Sequence, residues 1–253
     1  MSGFAVFARK ETHEILRTWR IWVLPSILLF FALTGPVLVR FTPQIVGALA
    51  GDTLNGLTIP TPNYLDAYTQ WIKNLSQIGL FALIIIYGSI VSSEIKSGTA
   101  VLVLTKPVSR TAFIVAKAAV HSVFLTILVI AGTLVTWGLT ETVFGEAPGS
   151  SLWSSALVWL VFGILFIAVM TLLSVLIRAS AGAAGAGLGA YALVSIAGIW
   201  KPLGAYSPAG LATQPASLAA GKDVAVLWPV LTSLLLAVGL VTLAALAFRR
   251  KDL

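Results

Sequence analysis

The sequence predicts an all-α membrane protein with six transmembrane helices, preceded by an amphipathic interface helix and interrupted on the cytoplasmic side by a short apolar helix. Three observations carry the membrane assignment. Of the 253 residues, 58% are hydrophobic and only 10% are charged, whereas a soluble domain is about 25% charged. Mean hydropathy is +0.98. The apolar residues gather into six stretches long enough to cross a bilayer, near 21–39, 74–93, 113–137, 153–177, 181–200 and 226–248, each close to the ~20 residues a spanning helix needs. Runs such as Ile78 to Ile86 do not alternate, which excludes a barrel strand. With no cysteine in the chain, disulfide scaffolds, thiolate chemistry and cysteine metal sites are excluded as well.

Residues 1–20 form the first unit. Phe4, Phe7, Ala8, Ile15, Leu16 and Trp19 fall mostly on one helical face, and Lys10, His13, Glu14, Arg17 and Arg20 on the other. Such a helix lies along a membrane surface, either as an anchor or as a docking element for a partner. Glu11 and Glu14 in this lead argue against a cleaved signal peptide. Residues 21–253 form the second unit, the six-span domain. Placing the N-terminus inside puts 12 of the 16 basic residues on the cytoplasmic side and leaves Arg40, Lys73, Lys201 and Lys222 outside, as the positive-inside rule requires. Both termini are then cytoplasmic, in the cell membrane. The net charge of +7 needs no nucleic acid to explain it.

Residues 40–73 read as an outer loop, with Asn63 to Trp71 as a short outer helix entering the second span. Residues 94–112 are odd for a plain loop. Charge at either end flanks the apolar run Ala100 to Leu104, and Pro107 stops any helix. An apolar helix exposed on the cytoplasmic side calls for a protein partner, or else folds back on the bilayer. In the third span Lys117 and His121 lie one turn apart on one face. Ionisable residues there are a functional-site hypothesis; alternatively Lys117 snorkels to the surface and a neutral His121 bonds a neighbouring helix. The 138–152 loop carries no chemistry. In the fifth span Gly185 and Gly189 form a G-x-x-x-G, for which internal packing is expected over a subunit interface. Residues 201–225, with Pro202, Pro208 and Pro215, read as a possible re-entrant segment. Tyr87, Ser89, Thr133, Thr136, Ser174 and Ser195 are expected to bond neighbouring helices.

Catalytic signatures are missing. There is no phosphate-binding G-x-x-x-x-G-K-[ST] loop, no H-E-x-x-H and no G-x-S-x-G, and His13 and His121 are the only histidines. No acid cluster lies within a span, where an ion-driven pump places its carboxylates. No catalytic residue, cofactor or metal is therefore assigned to this chain, which reads as a passive path or scaffold driven from elsewhere.

The run Glu94, Gly98, Thr99, then a short apolar helix, then Pro107, Val108, Ser109, Arg110, with Lys117 seven residues on, resembles permeases of ABC-2-type transporters. The six spans, the N-terminal helix and the terminal Phe248, Arg250, Asp252, Leu253 agree with the family; Ala100, where relatives carry a larger aliphatic residue, departs from it. The resemblance implies the permease of an ATP-driven exporter, for an amphiphilic drug, antibiotic, lipid or peptide. Its partners would be a cytoplasmic ATP-binding subunit, which holds ATP and Mg²⁺, and a second permease copy, identical or closely related. The substrate route would lie between the copies, where spans two and five face each other. Residues near 94–106 would form the coupling helix, with Glu94, Lys96, Gly98, Thr99, Val101, Leu102, Leu104, Pro107 and Arg110 at the ATPase interface, Glu94 and Arg110 pairing with polar groups of the ATPase or within the elbow. Lys10, Glu14 and Arg17 would serve the N-terminal interface. An accessory role in metalloenzyme maturation or sodium efflux keeps the same fold; an intramembrane enzyme or a scaffold is a reading of another class.

Overall fold

The computed structural model describes residues 3–50, 60–97 and 109–251. Among these the chain is mostly helical and has no strand, with six helices long and apolar enough to cross a membrane. Helix α1 (Gly3–Arg17) leads into α2 (Arg20–Ala50), the first span. That helix runs through residues 40–50, where the sequence predicts a loop. It does so despite Pro25, Pro36 and Pro43 inside it; prolines are tolerated in spanning helices where neighbours satisfy the freed backbone groups.

The second span is built in pieces. Helix α3 (Tyr64–Asn74) starts at a reciprocal cap: the Asn63 side chain accepts from the Leu65 and Asp66 amides, and the Asp66 carboxylate accepts from the Asn63 amide. A wide π turn (Leu75–Gly79) passes into α4 (Leu80–Tyr87), and after a short break α5 (Ser92–Lys96) follows. The break is held from the fourth span, where the Ser174 hydroxyl accepts from the amides of Val91 and Ser92, both at 3.0 Å. Each would otherwise be a buried donor without a partner, at a cost of about 1–3 kcal/mol.

Helix α6 (Arg110–Phe144) is the third span. Its 35 residues reach about 52 Å at 1.5 Å per residue, well beyond a hydrocarbon core of about 30 Å. It ends at Gly145, whose φ of +78° only glycine adopts without strain. Helix α7 (Gly149–Leu176) is the central span. It buries Trp159, Phe162, Phe166 and Met170. Helix α8 (Ser180–Ala197) is the fifth span. A broken stretch follows, made of α9 (Lys201–Tyr206), a 3₁₀ turn (Pro208–Ala212) and α10 (Gln214–Ala219). Helix α11 (Leu227–Arg249) is the sixth span.

Packing explains particular residues. The Trp71 ring lies against Gly132, where a Cβ would come within 2.6 Å of it, and its indole N–H donates to the Thr133 hydroxyl at 3.2 Å. The irregular 201–219 backbone is held by protein: the Gln214 amide donates to the Gly204 carbonyl at 2.9 Å, and Leu211 and Ala219 are buried. In α8 only Ala183 and Gly187 are fully buried, the latter against Met170 and Ile84, while Leu188, Tyr191 and Val194 pack on the core from its edge. Gly185 and Gly189 meet nothing within 4 Å, so the G-x-x-x-G faces outward and does not serve internal packing. Of the polar residues expected to tie helices together, Tyr87, Thr133 and Ser174 do so. Ser89, in the break after α4, donates to the Ile86 carbonyl of that helix, and the Thr136 and Ser195 hydroxyls have no partner among the described residues.

Candidate functional site: a buried charge knot

The described polar groups converge where α1, α5 and α6 meet. Lys117, a little under two turns into α6, and His121, one turn deeper, are 0% and 1% exposed. Glu94 reaches them from α5. Glu11 reaches them from α1, because Phe7, Glu11 and Ile15 repeat at intervals of four and share one face, all three buried. Phe7 meets Phe113 edge to face at 5.5 Å, which seats α1 on α6, and Phe113 stacks on Phe248 at 5.3 Å, which ties α6 to α11.

The Lys117 ammonium lies 2.9 Å from both Glu11 oxygens and also donates to the Glu94 carboxylate. Lys10 joins from the rim, 2.6 Å from Glu94, 3.0 Å from Glu11 and 2.8 Å from Glu14. His121 places Nδ1 3.1 Å from the Tyr87 hydroxyl and Nε2 3.7 Å from Glu11. Three carboxylates and two ammonium groups thus form one knot, with an imidazole and a phenol on its deep side.

The electrostatics follow from that count. Burial by itself pushes the Glu11 carboxyl up, but the His121 contact and the charges of Lys117 and Lys10 overrule it and hold the group far below the usual carboxylate range. Burial pulls Lys10 down, yet the Glu11 charge and the contacts with Glu14 and Glu94 hold it above the ordinary lysine value. Glu14 is lowered too: burial opposes this, and the Lys117 charge and the Lys10 contact prevail. Carboxylate oxygens of Glu11, Glu14 and Glu94 lie within 4.8 Å of one another, a spacing at which acids share a cation. The lysine ammonium groups occupy that role here.

The arrangement decides between several of the sequence's alternatives. Lys117 does not snorkel; it is sealed inside and paired. Acids do meet the third span, supplied by neighbouring elements, so a count of carboxylates within spans missed them. The N-terminal helix turns Glu11, and in part Lys10 and Glu14, toward the protein, while Phe4, Leu16 and Trp19 are exposed. Glu94 and Arg110, expected to pair with a partner or within the elbow, are both engaged inside the chain: Glu94 in the knot, and Arg110 donating to the carbonyls of Arg249 and Lys251 at 3.1 and 2.8 Å. Lys96 and Arg17 are exposed. Gly98, Thr99, Val101, Leu102, Leu104 and Pro107, with most of the expected coupling helix, lie outside the described residues. Local pattern assigns Glu11 no partner; its position midway between Phe7 and Ile15 on one face is the signal the sequence holds.

Residues 54–253 match the family described as a protein of unknown function, DUF2705. The chain is also 25% identical over 217 residues to the uncharacterized transmembrane protein YxlG of Bacillus subtilis (strain 168), which covers 85% of this chain and 84% of that relative. The chain belongs to the DUF2705 family.

Proposed function

We propose that this DUF2705 member is the permease subunit of an ATP-driven exporter, working as a pair of copies with a separate ATP-binding subunit. The observation that carries the reading is the charge knot. It joins the N-terminal helix, the inner end of the second span just before residues 98–108, and the third span into one unit. A push on any of these from the cytoplasmic side would move all three, because pulling them apart would strand a buried charge. ATP and Mg²⁺ would belong to the partner, and this chain would supply no catalytic group. The amphiphilic path would run between two copies. Adjoining faces of spans two and five are left open for the second copy: Ile78, Phe81 and Ile85 on one, Leu193 and Ile196 beside Gly185 and Gly189 on the other, linked by the Phe81–Tyr191 contact at 5.5 Å. The termini would be cytoplasmic in the cell membrane, by the distribution of basic residues.

The test is co-purification of the tagged chain from native membranes in mild detergent, with ATP hydrolysis assayed on the eluate. An ATP-binding subunit in near one-to-one ratio is expected. Charge reversal at exposed positions, Lys96→Glu and Arg17→Glu, should reduce its retention several-fold while leaving the permease folded. A chain that elutes alone from membranes that hold such ATPases would sink the reading. Glu94→Lys is the wrong probe, since it would place a third cation beside Lys10 and Lys117 and disturb packing before any interface.

A further inference from the structure

On the side of α6 away from the knot lies a second, differently built feature. A cavity of about 330 Å³ opens between α6, α7 and α11, lined by Val115, Ala118 and Ser122, by Ala168, and by Ala237 and Val241. Val115 and Val238 at its edge are exposed, so it opens on the outer, lipid-facing side of the bundle. Its depth is the same on all three helices. Counting from Arg110, from Leu176 and from Arg249, the lining residues lie about 8–18 Å from the helix ends at 1.5 Å per residue, which is the range of one acyl leaflet about 15 Å thick.

The stripe continues downward on α11. Val238, Thr242, Leu246 and Arg250 follow one another at intervals of four on one face. Leu246, Arg249 and Arg250 line a hollow of their own at the helix end. Arg110 and Lys251 join there through the Arg110 hydrogen bonds, and Lys251 reaches the Val175 carbonyl beside Arg178. Burial, then the Arg178 charge, pulls Lys251 below the ordinary lysine value. Among the described residues no carboxylate pairs with any of these groups; the acids that form ion pairs are all in the knot.

We propose that this stripe is a binding site for an anionic phospholipid, with an acyl chain in the α6–α7–α11 cavity and the phosphate on Arg249 and Arg250. Basic residues at the membrane surface beside an apolar inter-helix cleft are the chemistry that holds such headgroups. A second copy of the chain fits this face poorly. A two-fold interface brings the same residues of each copy together, and here that would set the arginine ends against each other. The open face of span five carries no such charge. The site does not depend on what the protein transports.

The experiment is native mass spectrometry of the full-length protein in detergent, doped with a palmitoyl-oleoyl phosphatidylglycerol or the matching phosphatidylcholine. Wild type should retain the anionic lipid several-fold more than the zwitterionic one. Arg249→Gln with Arg250→Gln, both exposed positions, should cut that retention about tenfold. Thr242→Trp, which blocks the stripe without changing charge, should lower retention of both lipids while size exclusion and circular dichroism stay as in wild type. Equal retention of the two lipids overturns the proposal. So does competition by free glycerol phosphate, which would make the site an anion site alone, or a Thr242→Trp variant that keeps its lipid and loses its oligomeric state, which would make this face an interface between copies.

Discussion

The knot at α1, α5 and α6 and the fifth span α8 solve opposite problems in one apolar solvent. The knot gathers Glu11, Glu94, Lys117 and Lys10 within direct contact of one another and hides three of them almost wholly. Helix α8 has no charged residue, and among its residues only Ala183 and Gly187 are buried. A charge taken from water needs its counter-charge within the same chain, because an unpaired buried ion costs several kcal/mol. An apolar face has no such demand, since lipid satisfies it until another helix does. The knot is therefore complete in a single chain, while α8 is a surface open to a neighbour.

The largest effect should come from breaking the knot. Glu11→Ala leaves Lys117 and Lys10 short of a counter-charge and should cost about 3–5 kcal/mol, read as loss of folded protein in a detergent thermal melt and as exposure of the N-terminal helix to protease. The double change Glu11→Ala with Lys117→Met should recover most of that loss. If it recovers nothing, the pair is not the tie that holds α1.

Helix α8 offers a smaller contrast two residues apart. Gly187→Leu must displace Met170 and Ile84 and should destabilise the single chain by about 1–3 kcal/mol. At Gly185 an added Cβ meets nothing within 4 Å, so Gly185→Leu should leave the melt unchanged, while crosslinking between the proposed copies falls. Equal destabilisation by both would refute the inward and outward assignment.

The smallest effect is pH. Glu11 and Glu14 are lowered in the folded state, so the stability they add is present above the ordinary carboxylate range, about 4.3, and is lost only as pH falls through their depressed values. Lys10 is raised, so its contribution is present below about 10.4 and is lost as pH rises through its elevated value. Protease resistance of the N-terminal helix should be flat between about pH 5 and 9. A step near neutrality would refute this assignment of the knot's charges.

Much of this was written in local pattern. Six apolar stretches of spanning length and the absence of alternation determined the fold class, because a bilayer leaves the helix as the way to satisfy backbone groups within one segment. The start of α3 was legible at Asn63, and the cap with Asp66 that fixes it is a contact of residues three apart. The pairing of Lys117 with His121 on one face was likewise legible, as a matter of helical period.

What tertiary structure alone decided is which groups meet across long separations. Glu11 and Lys117 are 106 positions apart and Glu94 and Lys117 are 23. Nothing in the hydropathy of the third span tells that its lysine is met from the N-terminal helix. The outward turn of Gly185 beside the inward turn of Gly187 was equally hidden, since both are glycines and the neighbour that separates them is Met170 on another helix. Period and composition fix what each helix is, by forces that act within a few residues. Which face it buries is settled by packing and charge pairing with whatever the fold brings alongside, and that information is held jointly by distant parts of the chain.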